Sequence, residues 1–110
     1  MTWEEINDMI LEAGLNCTYY QWPEGQAPEL PYILFYYPER NDFAADNTNY
    51  VHITALNIEF YSAEKDFDNE AAIEAILEKY GLWYDKEEQY IETEHMYEVL
   101  YTTEVTINES

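Results

Sequence analysis

Cys17, His52 and His95 are the side chains of this sequence best suited to nucleophilic or metal chemistry, and none has the company that such chemistry requires. A reactive thiol needs a basic neighbour to lower its pKa, whereas Cys17 sits in a strongly negative chain that favours the protonated form. It reads as a buried or incidental thiol. His52 lies in a long apolar run and His95 in Glu92-Thr93-Glu94-His95. Neither belongs to an H-E-x-x-H or cysteine-rich spacing, so a closed metal-ligand set is not expected. Asn41, Asp42, Asp46 and Asn47 offer oxygen ligands. They lack the spacing and terminal bidentate glutamate of a calcium loop, and read instead as a loop stabilised by side-chain-to-backbone hydrogen bonds. Gly14, Gly25 and Gly81 are scattered, so no glycine-rich loop cradles a phosphate. Carboxylate pairs are so abundant that no single pair points to glycoside chemistry. No catalytic residue, metal or cofactor is assigned, and the chain is not expected to be an enzyme.

The charge balance narrows the partners. The 110 residues carry 24 Asp plus Glu against 4 Lys plus Arg, a formal net charge of −20. Nucleic-acid affinity comes mainly from Lys and Arg releasing counterions from phosphates, so tight DNA or RNA binding is excluded. An anionic membrane surface is disfavoured on the same ground. No stretch approaches the ~20 apolar residues of a membrane span. The N-terminal Met1-Thr2-Trp3-Glu4-Glu5 lacks a signal-peptide pattern, and one cysteine cannot form an intrachain disulfide. These features predict a soluble protein of a reducing compartment. Aromatic residues at 17% supply material for a core despite the charge. Tyr19, Tyr36, Tyr97 and Tyr101 sit at expected strand positions, where they pack a sheet. Trp22, Phe43 and Trp83 fall beside turns or in loops and are candidate contacts with a partner or another subunit.

The elements that must position these residues follow from periodicity. Thr2 and Glu5 have capping-box spacing, and Trp3, Ile6, Ile10 and Ala13 recur at helical spacing before Gly14, predicting a helix over 2–13. Asp66 and Asp68 precede a second helix over about 69–80, with Ala72, Ile73, Ile76, Leu77 and Tyr80 as its apolar stripe. Strands are predicted over 17–20, 32–37 and 50–61, with a long Asn- and Asp-rich loop over 38–49. Within 50–61, Val51, Ile53 and Ala55 take one parity and Leu56, Ile58 and Phe60 the other. That change of phase fits either a β-bulge or a strand covered on both faces. Two short strands, 82–84 and 90–93, are expected around a charged turn at Asp85-Lys86-Glu87-Glu88. A cleanly alternating strand follows over 96–107. The order predicts an α+β fold, two helices packed on a mostly antiparallel sheet, with residues 1–110 as one domain.

A resemblance covers about two-thirds of the chain, from Pro31 through Val105. Its residues are Asn41-Asp42-Phe43-Ala44-Ala45-Asp46-Asn47, Leu56-Asn57-Ile58-Glu59-Phe60-Tyr61 and Lys65-Asp66 with Glu70. Ile73-Glu74-Ala75-Ile76-Leu77, Tyr90-Ile91-Glu92-Thr93-Glu94 and Met96-Tyr97-Glu98-Val99 complete it. These strings resemble small tail terminator or tail-completion proteins, the head-tail joining components of tailed phages and prophages of Gram-positive bacteria. The resemblance implies a structural virion protein made in the host cytoplasm and placed in the head-tail region. It implies a homo-oligomeric ring, usually of six, between the major tail tube protein and a head-completion or connector protein. No cofactor and no catalytic residue come with it. The acidity suits such a ring, because carboxylates around a lumen repel phosphates and let DNA pass without tight binding. Six copies would carry about −120, a repulsion that salt screens beyond ~8–10 Å. The alternative is an acidic DNA mimic that inhibits a host restriction or CRISPR nuclease, which would need carboxylates in regular rows on one face. In sequence the acids are spread over both helices and several turns, as on a solvated surface.

Overall fold

The structure is a computed structural model that describes residues 1–38, 40–43 and 51–108, and the side chains of these except at 40–43, 51 and 52. In chain order the elements are α1 (Trp3–Leu11), β1 (Asn16–Tyr19), β2 (Tyr32–Tyr36) and β3 (Arg40–Phe43). They continue with β4 (Val51–Ser62), α2 (Phe67–Lys79), β5 (Asp85–Ile91) and β6 (Met96–Asn108). The six strands form one sheet in the order β1-β2-β4-β6-β5, and β3 also pairs with β4. Only the β1–β2 pair is parallel. The predicted α+β architecture is the one observed, with both helices on the same face of the sheet.

The first helix begins at its capping box, and α2 begins at Phe67, two residues before the expected start, with Asp68 in its first turn. Thr2 accepts the Glu5 amide while Glu5 accepts the Thr2 amide at 2.8 Å, so two N–H groups that the helix cannot satisfy internally are bonded. Asp66 accepts the Asn69 amide at 3.1 Å and caps α2. The core lies between helices and sheet. Ile6, Met9 and Ile10 of α1 and Ile73 and Leu77 of α2 meet Ile33 and Phe35 of β2, Leu56, Ile58 and Phe60 of β4, and alternate residues of β6 from Val99 to Ile107. Burying one such large apolar side chain contributes about 1.5–3 kcal/mol, which sustains the fold against its charge.

Three sequence expectations need correction. The phase change in β4 is neither a bulge in that strand nor two covered faces. Its pairing with β6 is unbroken from Val51↔Asn108 to Ser62↔Tyr97, and even-numbered Thr54 through Ser62 are buried while their odd neighbours are half-buried on the other face. The irregularity falls on the partner strand. Pairing along this edge of β4 stops at Tyr36↔Asn57 and resumes at Arg40↔Thr54, one residue out of step, so β2 and β3 occupy one edge in succession. The 38–49 segment is therefore not all loop, since β3 lies within it. Lastly, Asp85–Glu88 is not a turn and 82–84 is not a strand: the charged run belongs to β5, and the chain reverses at Glu92–His95, with His95 at φ 53. An outer strand needs little apolar content, because β6 supplies its hydrogen bonds and charged side chains deter further pairing.

Candidate functional site

Register divides the sheet into two faces, one where acids are paired with lysines and one where they are not. On the helix side, β5 places Lys86 opposite Tyr101 and Glu88 opposite Val99. Lys86 Nζ lies 2.9 Å from Glu70 and 2.7 Å from Glu74, and Lys65 Nζ lies 2.6 Å from Glu70 and also contacts Glu88. Glu70 is buried, and two ammonium groups compensate its charge. Tyr101 donates to Glu74 at 2.8 Å. Hydrogen bonding to Glu74 is the largest cause that pushes Lys86 up to about 12, and Glu70 adds to it. Lys79, at the end of α2, pairs with Glu12 at 2.8 Å. Lys65, Lys79 and Lys86, the lysines of the sequence, are thus all engaged in internal ion pairs. Only Arg40 remains of the four cations, and its side chain is outside the described set.

The opposite, open face carries the residues of the other parity. Across its middle run Leu34 of β2, Glu59 of β4, Leu100 of β6 and Glu87 of β5. The adjacent row is Tyr32, Tyr61, Glu98 and Gln89. Asp85 and Glu104 occupy further positions of the same parity. No lysine, arginine or histidine occupies an open-face position of the described strands. Tyr61 Oη donates to one Glu98 oxygen at 2.7 Å, and Gln89 Nε2 donates to the other at 2.6 Å. Burial, followed by the neighbouring Glu98, pushes the Glu59 carboxyl up to about 7. For Glu98 burial acts upward, but hydrogen bonds from Glu59, Tyr61 and Gln89 outweigh it and hold this carboxyl below its ordinary range. Beside this cluster an open hollow of about 480 Å³ is lined by Glu87, Glu88, Gln89, Glu98 and Leu100. An acid-lined hollow without a cation suits neither phosphate nor DNA.

The sequence-predicted residues are not brought together. Trp22 is half-buried with its ring 5.6 Å from that of Tyr32, and its indole N–H has no hydrogen-bond partner among the described residues. Trp83 is 58% exposed after α2, and its carbonyl accepts the Thr103 hydroxyl. Phe43 ends β3, but its side chain lies outside the described set, as do those of Asn41, Asp42 and His52. Ala44, Ala45, Asp46 and Asn47 lie outside the described residues altogether. Cys17 is half-buried, and burial raises its thiol pKa. His95 is exposed in the β5–β6 turn. Among the described residues no group of three or more His, Cys, Asp or Glu side chains is placed to hold a metal ion, and no helix is long and apolar enough to cross a membrane.

Sequence reasoning missed the Glu59–Glu98 pair. Its signal was a glutamate within the apolar string Leu56 to Tyr61, but the partner stands 39 positions away and only the β4–β6 register joins them.

The chain matches no protein-family model and no curated protein sequence. Among solved structures it is similar to a chain described as "Virion of native gene transfer agent (GTA) particle". The TM-score is 0.57 at 14% identity, over 92% of this chain and 84% of that one. At this identity the likeness is one of fold.

Proposed function

We propose that the protein is a structural component of a phage-like virion, a tail terminator or tail-completion subunit. In this reading copies assemble into a ring, most simply of six, that caps the tail tube and joins it to the connector. The open sheet face is turned toward the passing DNA. The observation that carries the reading is the segregation of charge. Every lysine is paired within the chain on the helix side, while the open face presents Asp85, Glu87, Glu98 and Glu104 without a compensating cation at its described strand positions. Such a surface repels phosphates and offers no group that could grip them. The fold shared with a chain of a gene transfer agent virion supports the setting. The enzyme reading gains nothing from the geometry, since the half-buried acids lie on an open sheet rather than in an enclosed cleft.

Ring formation brings together chains of −20, so association strengthens with added salt. The test combines sedimentation across protein concentration and ionic strength with electron microscopy of the protein mixed with tail tubes. A ring-sized species favoured by salt, and density at one tube end, support the proposal. A monomer under all conditions together with bare tube ends contradicts it. Recovery of a host nuclease rather than tail proteins from infected cells would instead favour the DNA-mimic reading.

A further inference from the structure

We propose that Glu59 and Glu98 form a proton-operated latch between β4 and β6, closed while the two carboxyls share one proton and released when that proton leaves. The geometry favours a proton at this position. Glu59 lies in a row between Leu34 and Leu100, so its carboxyl is half-buried between two apolar neighbours. Glu98 stands diagonally across the β4–β6 ladder, opposite Tyr61, and Tyr61 and Gln89 already donate to its two oxygens. A charged Glu59 would therefore face a second carboxylate, with the Tyr61 hydroxyl that already donates to Glu98 as the donor beside it. The other ionisable groups around it are Tyr61 on β4, Tyr32 and Tyr36 on β2, and Glu87 on β5. None supplies a positive charge, and the lysines are held on the far side of the sheet.

One proton resolves the conflict: the Glu59 hydroxyl donates to the Glu98 carboxylate and ties the two central strands on their open face. When the proton leaves, two half-buried negative charges remain side by side on adjacent strands, where like charges destabilise pairing. The open face thereby gains one negative charge per chain across the neutral range. This is a property of the folded chain and does not depend on which partner the face meets.

The decisive measurement is an NMR titration of the side-chain carboxyl carbons of the intact protein from pH 3 to 9. The latch predicts a Glu59 midpoint near 7, well separated from a Glu98 midpoint below the ordinary 4.5. In Glu98→Gln the Glu59 midpoint falls but stays above 4.5, because the flanking leucines remain. Glu59 and Glu98 titrating together near 4.5 in the unsubstituted chain would overturn the proposal, and that measurement needs no variant to fold. An unchanged Glu59 midpoint in Glu98→Gln would overturn the shared proton and leave burial alone as the cause.

Discussion

Glu70 and Glu59 are carboxyls withdrawn from water on opposite sides of one sheet, and their charges are balanced by different means. On the helix side Glu70 lies between the Lys65 and Lys86 ammonium groups, at 2.6 and 2.9 Å. On the open side Glu59 has no ammonium group, and burial beside Glu98 pushes its pKa up to about 7. The chain has few cations and places three of them where burial of acid is deepest or where α2 ends. What remains is a face whose charge can be lowered only by protonation.

Removing the cations from the helix side should have the largest effect. Lys65→Met/Lys86→Met leaves Glu70 buried without compensation, and breaking a buried ionic cluster in this way costs about 3 kcal/mol. Urea unfolding at pH 7 measures it, and a loss below ~1 kcal/mol would mean that Glu70 is less isolated from water than its burial indicates.

Glu59→Gln should act in the opposite direction, and only at one end of the pH scale. The folded-state pKa of Glu59 lies above the ordinary 4.5, so the folded chain holds this proton more tightly than the unfolded chain. Its contribution to stability is intact below 4.5 and is lost as pH rises through about 7. The variant therefore matches the parent at pH 4 and exceeds it at pH 8, by about 1 kcal/mol once half-exposure is allowed for. Denaturation midpoints at the two pH values check both the size and the sign.

Asp66→Ala removes the α2 cap and should cost about 1 kcal/mol, read from thermal unfolding. Lys79→Met should produce no resolvable change in the same assay. Its pair with Glu12 is exposed, unlike the cluster around Glu70, and such pairs contribute little.

Local rules located the elements where a segment's own residues dictate its state. The Thr2–Glu5 box, the Asp66 cap and the alternation from Met96 are signals of this kind. They misplaced β5 and β3, whose strand state comes from a neighbour's free edge rather than from their own apolar pattern. The parity change in β4 points to that strand, whereas the break in pairing falls on its neighbours, between Tyr36 and Arg40. The division of charge between faces was hidden for a similar reason. A list of acids along the chain looks evenly spread, and only strand register shows that Glu59, Glu87, Glu98 and Glu104 share a face while Lys86 projects from the other. Of the three aromatic contact candidates, Trp83 is exposed and available, and Trp22 rests largely on Tyr32.

The central claim is that the open face is a surface past which DNA moves without being held. It is tested most directly by genome release from particles assembled with Glu87→Lys/Glu104→Lys, two exposed open-face positions, compared with Glu4→Lys/Asp8→Lys on exposed positions of α1. The account predicts that the open-face variant assembles but releases DNA more slowly, with the delay relieved by salt, while the α1 variant behaves as the parent. Equal release from the two variants, or a delay confined to the α1 variant, would contradict it.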